Sequence, residues 1–164
     1  MTRRESAEVD AYSRHLRWVL DQIVVSLEGL TPAQGNWRPD TGAANSAYGI
    51  VNHVIASTRV YALGFGCGLP VQRNRAEEFA AAGADPAGLI ARVTELAGDI
   101  DAALAGLDPT TLDQRILPPR DLGGTGELHE ISRREALVES LRHAGLHLGE
   151  LRLTRDLASQ RSFS

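Results

Sequence analysis

Apolar residues recur at intervals of three and four along four long stretches of the chain, the period of an amphipathic helix. From Glu5 to Glu28 the stripe is Val9, Tyr12, Leu16, Val19, Leu20, Ile23, Val24 and Leu27, and Gly29 ends it. A second stripe, Ala47, Ile50, Val51, Val54, Tyr61 and Phe65, begins behind Asn45 or Ser46. Either side chain can cap a first turn, and Gly64, Gly66 and Gly68 are expected to dissolve the helix end. The third opens on Asp85-Pro86, a cap followed by proline at the first helical position, and runs through Leu89, Ile90, Val93, Leu96, Ile100, Leu104 and Leu107. The fourth follows Ser132-Arg-Arg-Glu135, a capping box in which serine and glutamate satisfy each other's backbone N–H groups. It carries Leu137, Leu141, Ala144, Leu148 and Leu151 to about Leu157.

Between these stripes, the proline-bearing segment 30–41 and the segment 108–131 read as long loops, and Arg75–Ala82 as a short helical turn. No segment has the pattern of a strand. Four helices without a sheet predict an all-α four-helix bundle, one domain over residues 1–164. The long loops before its second and fourth helices leave room for crossovers or a covered site.

Composition sharpens this picture. Twenty-two Ala and 21 Leu against 10 Val and 7 Ile favour helix over sheet. The net charge of −4 removes the basic footprint of a nucleic-acid binder. One cysteine excludes an internal disulfide and a thiolate zinc site. No stretch approaches the roughly 18 consecutive apolar residues of a membrane helix. The charged first ten residues lack the apolar run of a secretory signal, so a cytoplasmic location is expected.

The chemistry lies with histidine. His143 and His147 stand four apart on the last helix, so both rings leave one face about one turn apart. Helices use this spacing to offer two imidazole nitrogens to one metal ion. The alternative for such a pair is a surface position. On the helical wheel they flank the leucine stripe, on the arc shared with Ala136 and Ser140. His53, inside Ala47-Tyr-Gly-Ile-Val-Asn-His-Val-Ile-Ala56, lies beside the arc of Ile50, Val54 and Tyr61. Alone it would read as a hydrogen-bonded interior histidine. Together the three can point into the bundle, and three neutral imidazoles leave a coordination position open, as catalytic sites do.

Three segments in order resemble the DinB/YfiT-like family of four-helix metal-site proteins. They are Leu30-Thr-Pro-Ala-Gln-Gly-Asn-Trp-Arg-Pro39, Ile50-Val-Asn-His-Val-Ile-Ala56 and His143-Ala-Gly-Leu-His-Leu-Gly-Glu150. The first resembles the family's loop after helix one, the second its histidine-bearing helix-two segment, and the third its His-x-x-x-His pair. The resemblance implies that His53, His143 and His147 hold zinc, nickel or a similar divalent ion. It also implies a thiol-dependent S-transferase or related hydrolase, with a low-molecular-weight thiol such as mycothiol beside a small-molecule substrate. By the same analogy the protein forms a homodimer. The competing expectation is a non-catalytic metal- or ligand-binding bundle, acting as a binding or stress-response module.

No catalytic acid or base is evident. His129 could overhang the site as acid, base or fourth ligand, although an exposed loop histidine is the favoured reading. Asn52 and Glu150 could orient the ligands by hydrogen bonds to imidazole N–H groups. Trp37 and Arg38 are expected to pin their loop over the bundle end. Cys67 and His15 carry no expected role, and Glu77-Glu78 and Arg133-Arg134 read as solvated helix ends.

Overall fold

The computed structural model describes residues 6–42, 44–80, 83, 85–122, 127 and 129–163. Its elements are α1 (Ala7–Leu27), α2 (Pro32–Asn36), α3 (Ala47–Thr58) continued by a π-helical segment (Arg59–Gly66), α4 (Arg75–Ala80), α5 (Pro86–Gly106), a 3-10 turn (Pro109–Thr111), β1 (Arg115–Ile116), β2 (Ile131–Ser132) and α6 (Arg133–Ser159).

The caps behave as their chemistry requires. Ser46, not Asn45, accepts from the Gly49 N–H to start α3. Asp85 accepts from Ala87 with Pro86 behind it, and both halves of the Ser132/Glu135 box are formed. Gly29 takes a φ of +76° just beyond α1, a conformation that favours glycine.

Several expectations change against the structure. The segment 30–41 is not all loop, because Thr31 and Gln34 form a capping box that starts α2. The second long helix continues past Thr58 as π-helix and ends at Gly66, among the glycines expected to end it, with Gly68 at a φ of +75°. Gly66 packs closely on α6: a Cβ there would sit 2.6 Å from Leu137 Cδ2. The loop 108–131 also holds a two-residue strand pair, β1 with β2, with Arg115 opposite Ser132 and Ile116 opposite Ile131. Arg133 and Arg134 are not merely solvated either. Arg134 pairs with Glu8 on α1 and with Asp113, while Arg133 donates to Thr111 Oγ1 at 3.1 Å.

Cross-helix pairs fix the direction of each helix. Glu8 meets Arg134 and Gln22 meets Arg152, so α1 and α6 run parallel. Asn52 meets Arg92 and Arg59 meets Asp99, so α3 and α5 also run parallel. His53 meets His143 while Gly66 meets Leu137, which makes α3 antiparallel to α6. Two parallel consecutive long helices demand a return along the bundle. α4 lies in the connection that makes this return, and it packs on α3. The crossover therefore lies between the second and third long helices, not in either loop to which the sequence pointed.

Leu16, Leu20 and Ile23 of α1, Ile50 and Val54 of α3, Leu89, Leu96 and Ile100 of α5, and Leu137 and Leu151 of α6 are nearly solvent-free. Each such side chain contributes about 1.5–3 kcal/mol on burial. These leucine stripes form the core that holds the bundle together. Among the described residues no helix is long and apolar enough to cross a membrane.

Candidate metal centre

The antiparallel contact of α3 with α6 brings His53 to the same level as His143 and His147. His53 is buried, and the other two are half-buried. His53 Nε2 lies 3.1 Å from His143 Nε2. Ring centroids are 4.9 Å apart for His53–His143, 4.9 Å for His53–His147 and 4.5 Å for His143–His147. One nitrogen from each ring falls within 4.8 Å of the other two. Tetrahedral coordination at roughly 2.0–2.1 Å needs ligand nitrogens about 3.3 Å apart, a distance the closest pair already meets. These three histidines could hold a metal ion.

What stands behind two of the rings favours that role. His53 Nδ1 lies 2.8 Å from Glu78 Oε2, and His147 Nδ1 lies 2.7 Å from Glu150 Oε2. A carboxylate only accepts, so each Nδ1 carries the proton and each Nε2 presents a lone pair. Glu78 is itself gripped by Arg73, whose Nε and Nη2 donate to its two oxygens at 2.6 and 2.9 Å. The side chains of this pair are 2% and 4% exposed. Burial alone would raise the Glu78 carboxyl, but the Arg73 fork and the His53 hydrogen bond outweigh it and hold it below the usual range.

Two of the imidazoles are held toward the neutral form that a ligand needs. Burial lowers His53, and the hydrogen bond to Glu78 only partly offsets that. Burial, and then the charges His147 and His53 would carry, push His143 down to about 4.

The remaining candidates sort cleanly. Glu150 accepts from the His147 ring, the kind of contact anticipated for it. Asn52 does not, because its amide donates to Tyr48 O and accepts from Arg92. His129 is exposed, with Nδ1 3.2 Å from Glu127 O, which agrees with the loop-histidine alternative. Burial pushes the Cys67 thiol up to about 11, so it is no nucleophile at neutral pH. Trp37 is half-buried, with the Arg161 guanidinium 5.3 Å from its ring centroid.

Sequence reasoning missed Glu78 and Arg73. Glu78 is 5% exposed and belongs to the site, which corrects its reading as a solvated helix end, whereas Glu77 is exposed. Nothing local separates these two adjacent glutamates. The one local hint was the short helical turn expected around Arg75, which the structure shows as α4.

Comparison with known proteins agrees with this architecture. A conserved protein from Enterococcus faecalis of known structure superposes with a TM-score of 0.71 at 17% identity, covering 96% of this chain and 100% of that one. At that identity the likeness speaks for the fold alone. No curated protein matches the chain. The DinB superfamily model, however, matches residues 15–151, from the middle of α1 through the third histidine and its carboxylate, and so the chain belongs to the DinB superfamily.

Proposed function

We propose that the protein is a metal-dependent enzyme in which His53, His143 and His147 hold one divalent ion, zinc or nickel, and that it transfers a low-molecular-weight thiol onto a small electrophile. The observation carrying this reading is the convergence of three imidazoles, two of them backed by carboxylates, in one cluster between α3 and α6. An ion held there would supply the Lewis acidity that keeps a bound thiol ionised at neutral pH. Glu78 and Glu150 keep the ligand lone pairs forward, and Arg73 keeps Glu78 ionised and in place. In the transfer, a C–S bond forms at the electrophilic carbon as the leaving group departs, and the thiol proton passes to solvent. The thiol rests on the family resemblance, since no described residue identifies it.

Metal content of protein purified without affinity tag or added metal is the first test, and about one zinc or nickel per chain is the expected result. Turnover of electrophiles with mycothiol, bacillithiol and glutathione is the second. Protein with no affinity for divalent ions overturns the whole reading. A loaded protein with no turnover against any thiol overturns the transferase and leaves the binding module.

A further inference from the structure

A cleft of about 370 Å³ opens where α5 ends and α6 begins. That volume falls within the roughly 300–1,000 Å³ of small-molecule sites. Arg133, which lines it, precedes His143 by ten residues on α6, about 15 Å along the helix axis, so the cleft is separate from the histidine cluster. Much of its wall is apolar, with Leu69, Ala103 and Leu107 on it, and Leu69 is 46% exposed. One cation stands at this wall. Arg133 Nη1 donates to Thr111 Oγ1 at 3.1 Å, and among the described residues no other side-chain acceptor is paired with its guanidinium, which has five N–H groups to offer. Gly68 leaves room for it there, because a Cβ at that position would sit 2.9 Å from Arg133 Nη2. The guanidinium is thus seated against the wall of an open cleft with most of its donors unspent.

We propose that this cleft is a second binding site, for a small molecule that carries one carboxylate on a compact apolar body, and that Arg133 holds the carboxylate. A guanidinium offers two parallel N–H groups in the geometry a carboxylate accepts, and such a pair gains strength beside apolar surface. The apolar body would lie on Leu69, Ala103 and Leu107. The charges around the cleft narrow the class further. Asp108 also lines it, with Oδ1 accepting from Thr110 N and Oγ1 at 3.0 and 2.8 Å. Gly106 is the last residue of α5, where the helix dipole is negative. Cys67 adds no charge, since burial pushes its thiol up to about 11. A monoanion meets the one cation, whereas a dianionic phosphate would bring a second negative charge toward Asp108 and the α5 carbonyls. The inference is independent of any metal.

Titration of the full chain in chelator with 4-methylpentanoate, its near-isosteric amide 4-methylpentanamide and inorganic phosphate, followed by amide NMR, tests the site without any mutation. The acid should shift the backbone N–H signals of Gly68, Gly106 and Thr111 saturably, with a dissociation constant on the order of 1 mM for so small a ligand. The amide should bind about 10-fold more weakly, and phosphate more weakly still. No saturable shift up to about 20 mM acid overturns the site. Equal binding of acid and amide overturns the role of Arg133, and phosphate binding as tightly as the acid overturns the choice of a monoanion. Shifts confined to the residues around His53 and His143 overturn the separate cleft. Arg133→Gln should abolish the acid's shifts, with Arg133→Lys, which keeps the charge and loses the fork, falling between. Arg133→Gln that remains folded by circular dichroism and binds the acid like wild type overturns the proposal.

Discussion

Glu78, on the crossover helix α4, holds the Nδ1 of His53 on α3 at 2.8 Å while Arg73 grips both of its oxygens. The connection between two parallel helices thus supplies the group that orients a buried histidine. The buried side chain that links α4 to the site is also the one that sets the tautomer of His53.

Glu78→Gln should separate charge from shape. The amide still offers Arg73 an acceptor, but it loses the negative charge behind His53. Zinc affinity is expected to fall about 10–100-fold, read by competition with a chromophoric chelator. Glu78→Ala leaves the Arg73 guanidinium buried and unpaired, and the unfolding free energy should drop by about 3–5 kcal/mol in urea titration. Destabilisation without a change in zinc affinity would reduce Glu78 to a structural ion-pair partner.

His147→Ala removes a ligand from the middle of α6 without weakening the helix, since alanine is the strongest helix former. Zinc binding should collapse while the far-ultraviolet circular dichroism stays unchanged. The zinc-free protein should lose on the order of 1 kcal/mol at most, the worth of the hydrogen bond to Glu150. A variant that binds zinc as tightly as wild type would remove His147 from the site.

How far the sequence led can be read from these residues. The faces were legible, because periodicity reports which side of a helix is buried. His143 and His147 could be placed on one arc, and Ser132 with Glu135 marked the start of α6 correctly. Direction was not legible. Nothing in a stripe of leucines says whether two consecutive helices run parallel, and the crossover that carries Glu78 and Arg73 beside His53 exists only because α3 and α5 do. Asn52 was assigned to the wrong partner for the same reason: its amide oxygen faces Arg92 on a helix whose direction was unknown.

Two glycine-to-alanine changes should have opposite signs. At Gly66 the new Cβ would press 2.6 Å from Leu137 Cδ2, with the leucine locked in the core, so Gly66→Ala is expected to cost about 1–3 kcal/mol. At Gly145, between the two α6 histidines, nothing lies within 4 Å of the added carbon. Gly145→Ala should stabilise by about 0.5–1 kcal/mol, the helical preference for alanine. Equilibrium unfolding in urea distinguishes them, and equal shifts would contradict the tight approach of the π-helical segment to α6.

Acid should destabilise the zinc-free protein well above the ordinary carboxylate range. An imidazole ordinarily titrates near 6.5, whereas folded His143 is pushed down to about 4 by burial and by its neighbours His147 and His53. As pH falls below 6.5, the unfolded chain binds that proton first, so stability declines; below about 4 the folded state binds it too and the loss levels off. His53 acts in the same direction, its imidazole depressed by burial. Glu78 adds a second loss at lower pH. Its contribution is fully present above the ordinary 4.5 and disappears as pH falls through its lowered folded value. Urea midpoints measured in chelator should therefore fall steadily between about pH 7 and 4.5, and His143→Gln should flatten that part of the curve. A wild-type midpoint that stays constant until carboxylates begin to protonate would mean that His143 meets solvent in the folded chain.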